Sequence, residues 1–127
     1  MRRRRFVIAG SLTFVSGAWA QTASQFAGRW IGNVKGLGDA EIIVSGVRAN
    51  GQIEGKMVFV EQSKSFSFGD KLDIVNSINH GVVQGSALTI ETAMGGTYRL
   101  NLADGQLGGE YLRGTTYKVP VTFRKAM

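Results

Sequence analysis

The chain has no cysteine, one proline, one histidine and no long apolar run beyond its first twenty residues. Each scarcity excludes something. Without cysteine there are no disulfide staples, so a hydrophobic core must hold the fold together unaided. With His80 as the only imidazole and no thiol, a zinc-type ligand set cannot be assembled. The same shortage leaves nucleophilic catalysis without a base, and no Ser-His-Asp arrangement forms around His80. No later stretch approaches the ~18 consecutive apolar residues of a membrane helix.

Excess positive charge is also scarcer than it looks. The formal charge is +6, but Arg2 to Arg5 supply four of those charges, leaving 11 Lys and Arg against 9 Asp and Glu. Arg2 to Arg5 read as the n-region of an export signal, Phe6 to Val15 as its apolar core, and Ala18-Trp19-Ala20 as the cleavage site. Arg3-Arg4-Arg5-Phe6-Val7 also fits a twin-arginine signal, so both the general secretory and the twin-arginine routes stay open. No cysteine follows the cleavage site for lipid attachment. The expected organisation is a signal at residues 1–20 and one domain at 21–127, placed in the periplasm or outside the cell. The remaining basic residues are scattered singly, which argues against a nucleic-acid partner.

What is abundant is glycine, 18 residues, with Val, Ile, Thr, Phe and Tyr in alternation. That composition favours strands joined by tight turns. Phe26, Gly28, Trp30, Gly32 and Val34 alternate with Ala27, Arg29, Ile31, Asn33 and Lys35, the period of a half-buried strand. Asn50-Gly51 and Asp104-Gly105 are hairpin signals. Eight antiparallel strands are expected, near residues 26–35, 39–47, 52–60, 64–75, 82–92, 97–102, 106–113 and 117–124. Residues 64–75 read either as one long bent strand or as a hairpin; the long strand is preferred because it keeps the count even. Residues 82–92 read as one strand kinked at Gly85. Residues 49–57 echo residues 103–111, fifty-four positions on. The echo reads as duplication or, more plainly, as convergence of hairpins on one pattern. Eight strands are enough to close an up-and-down barrel around side chains or one small ligand.

Phe-x-Gly-x-Trp on the first strand, the meander and a basic residue ending the last strand resemble the calycin superfamily, with an avidin-like or lipocalin-like outline. That resemblance implies an indole, Trp30, plugging one barrel end beneath Arg124 or Lys125. Parity puts Arg124 on the outer face. Gly28, Trp30, Gly51, Ile53, Gly55 and Met57 carry the avidin likeness in detail. Gly32 stands where avidins have Asn, and Trp30 is the sole tryptophan after the signal, so biotin is not expected.

At the opposite rim, Phe59, Phe66, Tyr98, Tyr111, Arg113 and Tyr117 fall on the inward parity. Aromatic faces with a guanidinium suit a ligand mouth or a protein-binding rim. Tyrosines also sit at barrel mouths simply because one end is dry and the other wet. Paired carboxylates offer nothing better: Asp70 and Asp73 fall on opposite faces, and Asp39 and Glu41 face outward. The expected function is therefore non-catalytic. It is binding of a small hydrophobic or aromatic ligand, anionic ones included, with no cofactor or metal. The alternative is an interaction module of the cell envelope, or a protease-inhibitor-type barrel using its rim and Gln21 to Gln25.

Overall fold

A computed structural model of the chain describes residues 24–126. The expected signal and residues 21–23 lie outside them. Among the described residues nine strands form one antiparallel sheet: β1 (Gly28–Val34), β2 (Gly38–Val47), β3 (Ile53–Phe59), β4 (Lys64–Ser67), β5 (His80–Gln84), β6 (Ala87–Glu91), β7 (Gly96–Ala103), β8 (Gln106–Arg113) and β9 (Tyr117–Lys125). The spatial order is β4-β3-β2-β1-β9-β8-β7-β6-β5. First and last strands are therefore neighbours, with Trp30 opposite Lys125 and Gly32 opposite Phe123.

The count of eight is corrected to nine, and two segments account for it. Residues 82–92 are a hairpin, not a kinked strand, because Gly85 takes φ +60° and reverses the chain so that Gln84 faces Ala87. Residues 64–75 are not one strand either: β4 ends at Ser67. The segment 68–79 is a link that runs back between the two sheet edges. Phe68 bridges Asn79 in the parallel sense, so β4 and β5 point the same way. This traverse lets an odd number of strands bring β9 antiparallel to β1, with the start of β1 and the end of β9 at one pole. Residues 76–79 accordingly belong to the link, and His80 and Gly81 open β5.

The edges touch at isolated points only. Gln52 bridges Val82, the Val83 amide donates to the Gly51 carbonyl (2.7 Å), and the Gly69 amide to the Asn79 carbonyl (2.8 Å). Arg48 reinforces this lower seam by ion-pairing with Glu54 (3.0 Å) and with Asp70 of the link, while Gln52 Nε2 donates to the Asp70 carbonyl (2.9 Å). The result is a barrel-like, curled sheet.

Alternate positions of the strands point inward and form one core that includes Phe26, Trp30, Ile42, Met57, Leu88 and Phe123. Burying such side chains supplies about 1.5–3 kcal/mol each before the entropy of ordering them is deducted. The echoed segments share a physical cause. A side chain at Gly55 would bring its Cβ to 1.9 Å from the Ile43 carbonyl oxygen, and one at Gly109 to 1.9 Å from that of Arg99. Each glycine lets a neighbouring strand close in, and Gly55 also takes φ +136°, a conformation unfavourable for other residues.

Candidate functional site

The connections β1–β2, β3–β4, β6–β7 and β8–β9 lie at one end of the sheet, called here the upper rim; the start of β1, the end of β9 and the connections β2–β3, β5–β6 and β7–β8 lie at the other. Trp30 lies at the lower pole, where it lines an open pocket of about 330 Å³ with Gln25, Leu102 and Lys125. Its ring is 1% exposed, and Nε1 donates to the Phe26 carbonyl (2.9 Å). Lys125 is the cation over it, with Nζ 5.2 Å from the ring centroid and 3.3 Å from the Gln25 carbonyl. Arg124 is not part of the plug. It stands exposed opposite Ile31, because consecutive strand residues face opposite sides of the sheet.

At the upper rim the six predicted residues separate into layers. Phe59 is buried and packs against half-buried Phe66, ring centroids 5.9 Å apart. The tyrosines form a second group: Tyr98 and Tyr111 lie 4.8 Å apart, and Tyr111 and Tyr117 lie 6.1 Å apart edge-on. Tyr98 is wholly buried beneath, whereas Tyr117 is 38% exposed. Arg113 is exposed, and its Nη2 donates to the Met94 carbonyl (2.7 Å). Local sequence sets these positions. The Gly96 backbone leaves room for the Tyr111 hydroxyl, 2.4 Å from where a Cβ would lie, and Gly36 does the same for Tyr117. The Tyr117 hydroxyl is held by the Lys35 carbonyl.

Gly36, Leu37, Tyr111, Arg113 and Tyr117 enclose an open pocket of about 220 Å³. Phe59, Phe66 and Tyr98 do not line it. Behind Tyr111, the Tyr98 hydroxyl is buried with no hydrogen-bond partner among the described residues. Burial pushes its acidity far down, raising the pKa; the Tyr111 phenol adds to the shift and Arg113 opposes it. Burial also raises the Tyr111 pKa, against the pull of Arg113. Both phenols are thus neutral at physiological pH, and of the two only Tyr111 lines the pocket beside Arg113. Such a set can stack on a flat ring and hydrogen-bond an acceptor, but it holds no general base.

Phe66 belongs instead to a second feature, framed otherwise by residues outside the predicted set. Phe66 and Met94 lie in an open groove of about 650 Å³ beside β4, with Ser63, Lys64, Ser65 and Ser77. Asn79, wholly buried, braces one side: Oδ1 accepts from the Ala93 amide (2.8 Å), while Nδ2 has no partner among the described residues. The polar strand Lys-Ser-Phe-Ser, carrying an edge lysine, was the sequence signal for this groove. His80 lies on the far side of the link. It is half-buried at the start of β5, and Nδ1 lies 3.2 Å from the Gly69 carbonyl. Glu41 is tied to Arg29 on the outer face (2.9 and 3.0 Å), which holds its carboxyl below the usual range.

Among the described residues, no group of three or more His, Asp or Glu is placed to hold a metal ion, and no helix is long and apolar enough to cross a membrane. These features define a small all-β protein with a curled antiparallel sheet, a buried indole at one pole and an aromatic rim at the other. Comparison with protein-family models, curated proteins and solved structures finds no match.

Proposed function

We propose that the chain is an exported, non-catalytic binding protein. Its ligand is a small hydrophobic or aromatic molecule, anionic in the favoured case, held at the upper rim. The observation that carries this reading is the pocket of about 220 Å³ walled by Tyr111, Tyr117, Leu37 and Arg113. Its volume lies below the ~300–1,000 Å³ typical of drug-sized ligands, so the fit is to a single ring or a short chain. Phenol faces supply flat contact area, and the Arg113 guanidinium supplies charge-assisted donors to a carboxylate. The Arg2–Arg5 run and Ala18-Trp19-Ala20 support export to the periplasm or beyond. The likeness to calycins, which hold ligands at barrel mouths, is in keeping with this and rests on the Phe-x-Gly-x-Trp residues and the meander.

Native mass spectrometry of protein purified from its own cell envelope tests the reading. A small-molecule adduct retained by the native chain and lost in Arg113→Gln is expected. A bare chain that also ignores a panel of one-ring carboxylates at millimolar concentration would refute it.

The second reading, a protein-interaction module of the envelope or a protease-inhibitor-type barrel, draws support from a different observation. Ile74 and Val75 are 65% and 91% exposed, on a turn braced by Asp73 accepting from the Asn76 amide (3.0 Å) and side chain (2.7 Å). A co-purifying protein in place of the adduct would favour this reading.

A further inference from the structure

We infer that the upper seam beside β4 is a strand-accepting edge that binds an extended, acidic segment of a partner protein. The proposal begins with the phase of the β3–β4 ladder. The Phe68 amide donates to the Gly55 carbonyl (2.9 Å). In an antiparallel ladder the hydrogen-bonded positions alternate, so Phe66 and Lys64 bond to β3 while Ser65 and Ser67 turn their backbone groups away from it.

On that outward side the Ser67 carbonyl accepts from the Asn79 amide (3.0 Å) and the Gly69 amide donates to the Asn79 carbonyl. These two bonds are one rung of a parallel ladder. A second rung would need residue 77 opposite Ser65 and Ser67. It is not made, because Ser77 takes φ +57° and its amide donates to Ile74 instead (3.3 Å). The Ser65 N–H and C=O therefore face the groove of about 650 Å³ without a backbone partner among the described residues, and the Ser67 N–H, on the same outward edge just below it, is likewise unpaired. An exposed run of unpaired strand groups is a template for an added strand.

The groove supplies more than an edge. Phe66 and Met94 give it an apolar floor for alternate side chains of an incoming strand. Charge selects the occupant. Lys64 lines the groove, Arg113 is anchored on the Met94 carbonyl at its margin, and no carboxylate of the described residues lines it. An acidic segment is attracted, whereas a second copy offering its own β4 would bring a like-charged Lys64, the usual device against self-pairing.

Two short capped peptides test this, one alternating Val and Glu and one alternating Val and Lys, each titrated into isotopically labelled protein by amide NMR. The Val/Glu peptide is expected to move the Ser65 and Ser67 amide resonances and to bind at least about tenfold more tightly than Val/Lys. Ser65→Pro removes an N–H that β3 does not use, so the fold is kept and binding drops about tenfold or more. Lys64→Glu, a surface change that leaves every backbone bond in place, reverses the preference between the peptides. The proposal is overturned if neither peptide shifts Ser65 and Ser67, or if Ser65→Pro binds as the native chain does. It is also overturned if both peptides bind equally, or if the protein forms a dimer that Ser65→Pro dissolves.

Discussion

Replacing Tyr98 by Phe removes one oxygen atom and leaves the ring. Tyr98 is wholly buried, and its hydroxyl has no partner among the described residues. A buried, unsatisfied hydroxyl costs roughly 1–3 kcal/mol. Tyr98→Phe should therefore stabilise the ligand-free protein by about 1 kcal/mol. For a domain of this size that is a rise in Tm of about 5 °C. The neighbouring phenol at Tyr117 provides the contrast: its hydroxyl donates to the Lys35 carbonyl, so Tyr117→Phe should cost stability. Alkaline unfolding gives a second readout. A phenol whose pKa is raised in the folded state contributes stability that is complete below the unfolded value, near pH 10, and is lost as pH rises beyond it. In that window the native state binds the proton and the unfolded state does not, so each such phenol steepens the loss by about 1.4 kcal/mol per pH unit. Tyr98→Phe should flatten the slope by one phenol. Thermal and urea denaturation of refolded protein from pH 7 to 11 make the measurement. A variant less stable than the native chain at pH 7 would mean that the hydroxyl has a partner, and the reasoning would fail.

Other substitutions probe the frame. Gly109→Ala places a Cβ 1.9 Å from the Arg99 carbonyl between two central strands, and should cost about 3 kcal/mol or more, read as lost soluble yield and a lowered urea midpoint. Lys125→Ala should cost about 1 kcal/mol and change Trp30 fluorescence, with Lys125→Arg restoring most of the loss, since either cation can lie over the ring. Arg48→Ala should leave global stability nearly unchanged but speed hydrogen exchange at Gly69 and Asn79, because it releases the link at Asp70.

How far the sequence reveals this fold depends on where side-chain parity holds. Strands β1, β2, β3, β7, β8 and β9 alternate cleanly, and their turns carry Gly36, Gly51, Gly105 or Gly114 at positive φ. Asp104 and Gly105 both take positive φ, as a two-residue hairpin demands. The stretch from Phe68 to Glu91 resists reading for two separate reasons. Across Gly85-Ser86 the inward positions switch from Val83 to Leu88 and Ile90, a change of parity that signals a reversal rather than a kink. Farther back, Leu72 and Ile74 share the parity of Phe66, yet Ile74 is 65% exposed. Their pattern is overridden by long-range bonds to Asn79, which no local periodicity reveals. Of the rim residues, Tyr111, Arg113 and Tyr117 come together as their inward register suggested. Tyr98 and Phe59 lie one layer too deep, because parity gives the face of a strand but not the depth. The choice of Lys125 over Arg124 is again parity, and it was readable from β9.

The central claim is that Tyr111, Arg113 and Tyr117 form a binding site for a small anionic ring. The most direct measurement is a titration of the labelled protein with benzoate, followed through tyrosine side-chain and Arg113 guanidinium resonances. Saturable shifts confined to Leu37, Tyr111, Arg113 and Tyr117, abolished in Arg113→Gln, are predicted. Shifts that never saturate, or that centre on the Trp30 pole, would contradict it.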